Sequence, residues 1–310
     1  MAEHTLFTPN PFQKTQLKCF SAQNIPTYLF RVVAPGTAGS TSVSTVTSKA
    51  LMDPECSHRP DDIFRLNQAD ATALVHAHFD WKCSEQCNFM SWTSSLLFAL
   101  HYGLYRHKKD YDTPDLSRIL VYILDTSGLP EGTFIKDLDI LNAFKGESAG
   151  LKDFLHMRRG QDRKRYYFGE YIIQGQLEIN GRCASVPLQQ MIDLGLFELH
   201  PGLGDEDGWS SLAKRVLELR QDSTNLVTTT PSEVRRAIRL LNSVSETAGI
   251  AAAYSAMFAA EEIEVQNIQL DPEGLPEVKR FGDILNVVNR EFNNSDINAL
   301  LNPFSRMGFE

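Results

Sequence analysis

The sequence predicts an α+β fold, β-rich to about residue 200 and helical beyond it, and three observations lead there. Tyr28-Leu-Phe-Arg-Val-Val33 and Arg118-Ile-Leu-Val-Tyr-Ile-Leu-Asp125 are runs of β-branched, aromatic and aliphatic residues, each stopped by turn chemistry, at Pro35-Gly36 and at Asp125-Thr-Ser-Gly128. Tyr166 to Ile179 reads as a further strand or hairpin. From Pro187 the apolar spacing turns helical, and Thr230-Pro231-Ser232-Glu233 supplies a hydroxyl N-cap, a proline at the first helical position and a glutamate at the third.

Taken in order, the elements are these. Phe7 to about Ile25 is polar with two prolines and is expected to lie on the surface as an irregular arm, residues 1–25. The first strand follows and carries Arg31. Residues 36–48 are small, hydroxyl-rich and glycine-containing; they read as a loop whose amides and hydroxyls suit an anion, or as a plain mobile turn. Residues 61–79 place Ile63, Leu66, Ala69 or Ala73 and Leu74 on one helical face. Asn88 to Ser94 is strand-like, and Ser95 to Tyr105 is apolar around most of a helix circumference, as a buried helix would be. Arg118 to Asp125, continuously apolar from Ile119 to Leu124, reads as a central strand. A helix is expected near 137–145, followed by the basic run Arg158 to Arg165. Behind the capping box, Val234, Ile238, Leu241 and Val244 form a stripe leading into an Ala-rich helix. The chain divides into the arm, a domain over 26–200 and a helical region over 201–310.

Composition narrows the partners. Of 310 residues 42% are hydrophobic, enough for a sizeable core, and 30 Lys and Arg stand against 39 Asp and Glu for a net charge of −9. Nucleic acid is not the expected partner of so acidic a chain. Five cysteines, an odd number spread thinly, suit reduced thiols and a cytoplasmic setting. The longest apolar run, Ala248 to Ala260, is shorter than the ~20 residues a membrane helix needs, so no membrane partner is expected.

Three distant features carry chemistry together: Arg31 on the first strand, the hydroxyl run Ser91-Trp92-Thr93-Ser94-Ser95 opening a helix, and Glu170 heading Glu170-Tyr-Ile-Ile-Gln-Gly175. In their order from about Tyr28 to Ile179 they resemble the ADP-ribosyltransferases of the arginine, serine, glutamate type. That family has an arginine after an aromatic residue in a first strand, a strand of the form F-x-S-T-S before a helix, and a glutamate heading an apolar strand that ends in glycine. Phe30-Arg31, Phe89-Met90-Ser91-Trp92-Thr93-Ser94 and Glu170 to Gly175 match those parts. The chain is similar, too, to a group of fungal domains with YLFR and SWTSS signatures, for which a transferase-like fold has been supposed. The resemblance implies an ADP-ribosyltransferase-like split β-sheet core with flanking helices, and NAD as the substrate.

The chemistry follows from the residue types. Cleaving the nicotinamide–ribose bond leaves an oxocarbenium-like sugar that an ionised carboxylate stabilises, which is the role expected of Glu170. A pyrophosphate calls for a planar, permanently charged donor, the role expected of Arg31. Ser91 and Thr93 share a strand face and are expected to orient Arg31 or Glu170, with Trp92 facing away. Phe168 stands two positions before Glu170, where the family commonly carries Glu or Gln to activate the acceptor; the resemblance leaves the acceptor open among a protein, a nucleic acid, a small molecule and water, and with water the enzyme is an NAD glycohydrolase. A shifted alignment uses Gln176 and Glu178 instead. The competing expectation is a catalytically inactive interaction module that binds a protein through its helical part. His76, His78, Cys83 and Cys87 have an uncommon ligand spacing, and no metal is assigned to them.

Overall fold

The computed structural model describes residues 4–17, 20, 24–52, 62–82, 86–109, 113–146, 148–160 and 166–225, with 274, 275 and 278. It is a mixed α+β fold built on antiparallel sheets and several helices. Strand β1 (Tyr28–Val33) has the predicted bounds, and its four inner residues are buried, so both of its faces are covered. The hairpin β2 (Ser40–Thr41) and β3 (Thr45–Thr47) then forms within the hydroxyl-rich stretch read as a loop. The remaining strands are β4 (Phe89–Thr93), β5 (Leu120–Asp125), β6 (Ile135–Lys136), β7 (Glu170–Gln174), β8 (Gln176–Glu178) and β9 (Cys183–Pro187). Six of them pair in the order β6-β7-β4-β1-β5-β9, and β2-β3-β8 form a separate three-stranded sheet.

The chain passes from one sheet to the other through Gly175, whose φ of +65° few side chains tolerate. A Cβ there would also strike the side chain of Thr5, so close packing and backbone both require glycine.

Helices α1 (Pro11–Lys14), α2 (Lys49–Met52), α3 (Gln68–Phe79), α4 (Leu96–Lys109), α5 (Asp137–Phe144), α6 (Ala149–Arg159), α7 (Leu188–Asp193), α8 (Leu196–Leu199) and α9 (Ala213–Asn225) surround the sheets. Their apolar side chains fall into three clusters. One joins α3, α5 and α6 to Phe89 and Ile172. A second seats α4 on Phe30, Val32 and Val121. The third fills the space between the sheets with Leu29, Val46, Met90, Trp92, Tyr171 and Leu177.

Two expectations are corrected. The N-terminal arm lies only partly on the surface: Phe7, Leu17 and Phe20 are buried in the first cluster and anchor a segment that leaves Phe12 and its neighbours exposed. Helix α3 starts at Gln68, where Asn67 accepts from the amide of Asp70, and its buried stripe is Ala71, Val75 and Phe79 while Ala69 and Ala73 are exposed. The cap fixes that phase. The capping box at Thr230, the helix behind it and the Ala-rich run lie outside the described residues, although Leu275 and Val278 are buried in the first cluster. Among the described residues no helix is long and apolar enough to cross a membrane.

Candidate functional site

The register of three adjacent strands builds the site. Phe30 pairs with Thr93, and Thr93 with Glu170, so these residues form one row across β1, β4 and β7. Paired residues in an antiparallel ladder share a face and neighbours along a strand alternate. Ser91 therefore joins Thr93 and Glu170 on one side. Arg31 and Trp92 leave on the other, towards the space between the sheets.

Ser91 is the hub. Its Oγ donates to Glu170 Oε1 at 2.6 Å, and His78 Nε2 lies 2.8 Å from the same Oγ. A hydroxyl has one proton, already given to the carboxylate, so His78 donates through Nε2–H and leaves Nδ1 facing Cys87 Sγ at 3.6 Å. The ring of His78 is held edge-on against Phe89, with centroids 5.4 Å apart.

The other oxygen of Glu170 belongs to Arg158. Arg158 Nη2 donates to Oε2 at 2.8 Å, and Arg158 Nε donates to Asp137 Oδ2 at 2.5 Å. The guanidinium lies over the ring of Phe79, 4.8 Å from its centroid, with Phe154 at 5.8 Å. The side chain of Asp137 is fully buried whereas that of Glu170 is 23% exposed, so Glu170 is the carboxylate a ligand can reach. Burial raises the affinity of Glu170 for a proton, but the charge of Arg158, then His78, then the hydrogen bonds from Ser91 and Arg158 outweigh it and hold its pKa below the ordinary value. Burial, opposed by Arg158 and reinforced by Glu170, pushes Asp137 up to about 7.

Arg31 sits elsewhere than the sequence reading put it. It is 8% exposed; its Nη1 donates to the carbonyl of Ser91 at 2.7 Å and its Nε to Thr41 Oγ1 at 3.1 Å. It thus fastens the hairpin of the small sheet to β4, on the sheet face opposite Glu170, rather than lining a groove beside the carboxylate. Tyr122, its partner on β5, completes the bolt by donating to the carbonyl of Thr41 at 3.0 Å.

Thr93 also turns away from Arg31. Its Oγ1 donates to the carbonyl of Phe168 and accepts from the amide of Ser95 at 3.0 Å, tying the approach to Glu170 to the start of α4. Phe168 stacks on Phe98, with centroids 4.7 Å apart and planes at 17°, and Arg220 lies over it at 5.5 Å. Gln176 and Glu178 are on β8, opposite Thr47 and Thr45 in the three-stranded sheet. His76 faces Phe154, Cys83 lies outside the described residues, and no metal-ligating cluster occurs among the described residues.

Three members of the site escaped the sequence reading. In the sequence His78 reads as a helix histidine or a metal ligand, Arg158 as one member of a basic run, and Asp137 as the start of a helix. The nearness of Arg158 to Glu170 in sequence was the one available signal. Together these groups hold an ionised, partly exposed carboxylate beside a hydroxyl and a guanidinium, an arrangement able to stabilise positive charge developing on a bound sugar.

Residues 24–180 match the domain family described as DUF7587, a domain of unknown function. That stretch contains every residue of the cluster around Glu170. No curated protein and no solved structure matches the chain.

Proposed function

The chain belongs to the DUF7587 family, and we propose that it is an NAD-consuming enzyme with an ADP-ribosyltransferase-like split-sheet core, acting as a mono-ADP-ribosyltransferase or an NAD glycohydrolase. The observation that carries this reading is the 2.6 Å hydrogen bond from Ser91 to Glu170. It joins two of the three residues on which the family resemblance rests, and the third, Arg31, holds the carbonyl of the same serine. The two sheets meeting at Gly175 are in keeping with a split core.

In this reading Glu170 stabilises the ribosyl cation as nicotinamide leaves, and Ser91 keeps the carboxylate aimed and ionised. Arg31 acts as a positioning residue for Ser91, and Thr93 sets the entry of the chain into β7. Phe168, engaged in a ring stack, offers no carboxylate or amide to activate a protein or small-molecule acceptor, which favours water. The helical part beyond residue 200 completes the proposed architecture, and the buried thiols of Cys87 and Cys183, neither of them in a disulfide, agree with a cytoplasmic setting.

The test is release of nicotinamide from NAD by the full chain, with Glu170→Gln and Ser91→Ala beside it. Turnover that falls by about 100-fold or more in Glu170→Gln is expected, on the scale of losing an electrostatic catalytic group. Turnover indifferent to both changes removes these residues from the chemistry, and a Glu178→Gln variant then examines the shifted alignment with Gln176.

A second reading is favoured by one observation, the ion pair from Arg158 that occupies Glu170 Oε2. A carboxylate so neutralised suits a catalytically inactive module that keeps the fold and binds a protein. Absence of NAD cleavage with NAD binding also undetectable by calorimetry supports it.

A further inference from the structure

We propose that Asp137 is a positioning residue that sets the charge available at Glu170, by gripping the Nε edge of Arg158 so that one guanidinium is divided between two carboxylates. The consequence for catalysis rests on the NAD-cleaving reading; the division of the cation rests on geometry alone.

Asp137 opens α5, and its carboxylate is fixed there because Oδ1 accepts from the amide of Leu138 at 2.7 Å. Oδ2 takes the Nε of Arg158. Arg158 cannot swing its planar fork freely, since Phe79 and Phe154 lie against it, and its Nη2 reaches Glu170. The outcome is two acids on one cation, with one acid closed to water. Two anions in that position resist joint ionisation and titrate as a linked pair.

Charged groups from every packed element bear on this pair. Arg158 comes from α6, Glu170 from β7, and His78 from α3 on the far side of Ser91. Lys136, on β6, holds its ammonium over the ring of Tyr167 at 5.1 Å, and Asp139 is buried on α5 itself. When Asp137 is ionised the trio of Asp137, Arg158 and Glu170 carries a net negative charge, and Glu170 keeps field to spare for a sugar cation. When Asp137 holds a proton, the charges of Arg158 and Glu170 cancel and the trio is neutral. The burial that raises Asp137 to about 7 puts this change in the neutral range.

The experiment is a carbon-13 NMR titration of side-chain carboxyls in the full chain from acid to alkaline pH, with Asp137→Asn and Glu170→Gln alongside. The wild type is expected to show a carboxyl with its midpoint near 7 that is missing from Asp137→Asn. In Glu170→Gln the midpoint of Asp137 is expected to fall, because Glu170 is ionised throughout that titration and its like charge has gone. An Asp137 midpoint in the ordinary carboxylate range overturns the proposal, as does an Asp137 midpoint indifferent to Glu170→Gln. The wild-type titration needs no variant to fold, and neither readout needs turnover, so the wiring is judged apart from the proposed reaction. Where NAD is cleaved, kcat of the wild type climbs about tenfold from pH 6 to pH 8, following ionisation of a group with pKa about 7. The same climb persisting in Asp137→Asn overturns the role of Asp137 in the reaction.

Discussion

Arg31 grips Ser91 by its backbone, Nη1 to the carbonyl oxygen at 2.7 Å, and leaves the hydroxyl of that serine to other partners. Its Nε meanwhile holds Thr41 of the small sheet. Truncating it abandons a carbonyl and a hydroxyl in a region where the arginine is 8% exposed. Arg31→Ala is expected to lower unfolding free energy by roughly 2–4 kcal/mol, the range for breaking hydrogen bonds to a buried charge. Urea denaturation of both proteins measures it. A midpoint equal to the wild type's contradicts the bolt between sheets and returns Arg31 to the role of a ligand-binding residue.

Ser91→Ala isolates the other bond. Removing the donor to Oε1 takes away one of the influences holding the Glu170 pKa down, so its titration midpoint is expected to rise, while His78 loses its acceptor. The expected stability loss is modest, about 1 kcal/mol, because Arg158 still satisfies the carboxylate. Carboxyl NMR reads the midpoint directly. A downward or absent shift means that the hydroxyl does not donate to Glu170 in solution.

How far the sequence foretells these features depends on whether the cause is local. Strand β1 is legible to the residue because its aromatic, aliphatic and β-branched side chains, with Arg31 among them, stop at the Pro35-Gly36 turn. Strand β4, the helix after it and the start of α5 were legible for similar reasons. Burial of Phe7, Leu17 and Phe20 was not, since an arm takes its burial from a cavity that distant elements create. Nor was the face taken by Arg31: alternation along a strand is visible, but only the pairing of Phe30 with Thr93 says which face belongs to Glu170. The link from Arg158 to Asp137 crosses 21 residues and two helices, beyond the reach of any periodic pattern.

Glycine at 175 meets two demands, a φ of +65° and room for Thr5, at the point where the chain leaves β7 for β8. Gly175→Ala is expected to cost about 1–3 kcal/mol, combining left-handed strain with the displaced side chain. Since the strained turn borders the strand that bears Glu170, the thermal midpoint is the measurement to make, with Thr5→Gly added to separate the causes. Full rescue by Thr5→Gly would assign the whole effect to the collision and none to the backbone.

Opposite shifts at Asp137 and Glu170 give the pH dependence of stability a definite sign. Asp137 binds its proton more tightly folded than unfolded, so between the ordinary aspartate pKa near 3.8 and about 7 the native state carries more protons and unfolding becomes easier as pH rises. Glu170 acts in reverse: its depressed pKa contributes stability that is complete above the ordinary value of 4.5 and disappears as pH falls through the folded value. Between pH 6 and 8 Glu170 is ionised in both states, leaving Asp137 as the member of this pair that changes. Urea midpoints taken across that interval are therefore expected to decline for the wild type, with most of the decline removed in Asp137→Asn. Equal declines in the two proteins would mean that another group supplies the slope, and that the buried acid on α5 keeps its ordinary affinity for a proton.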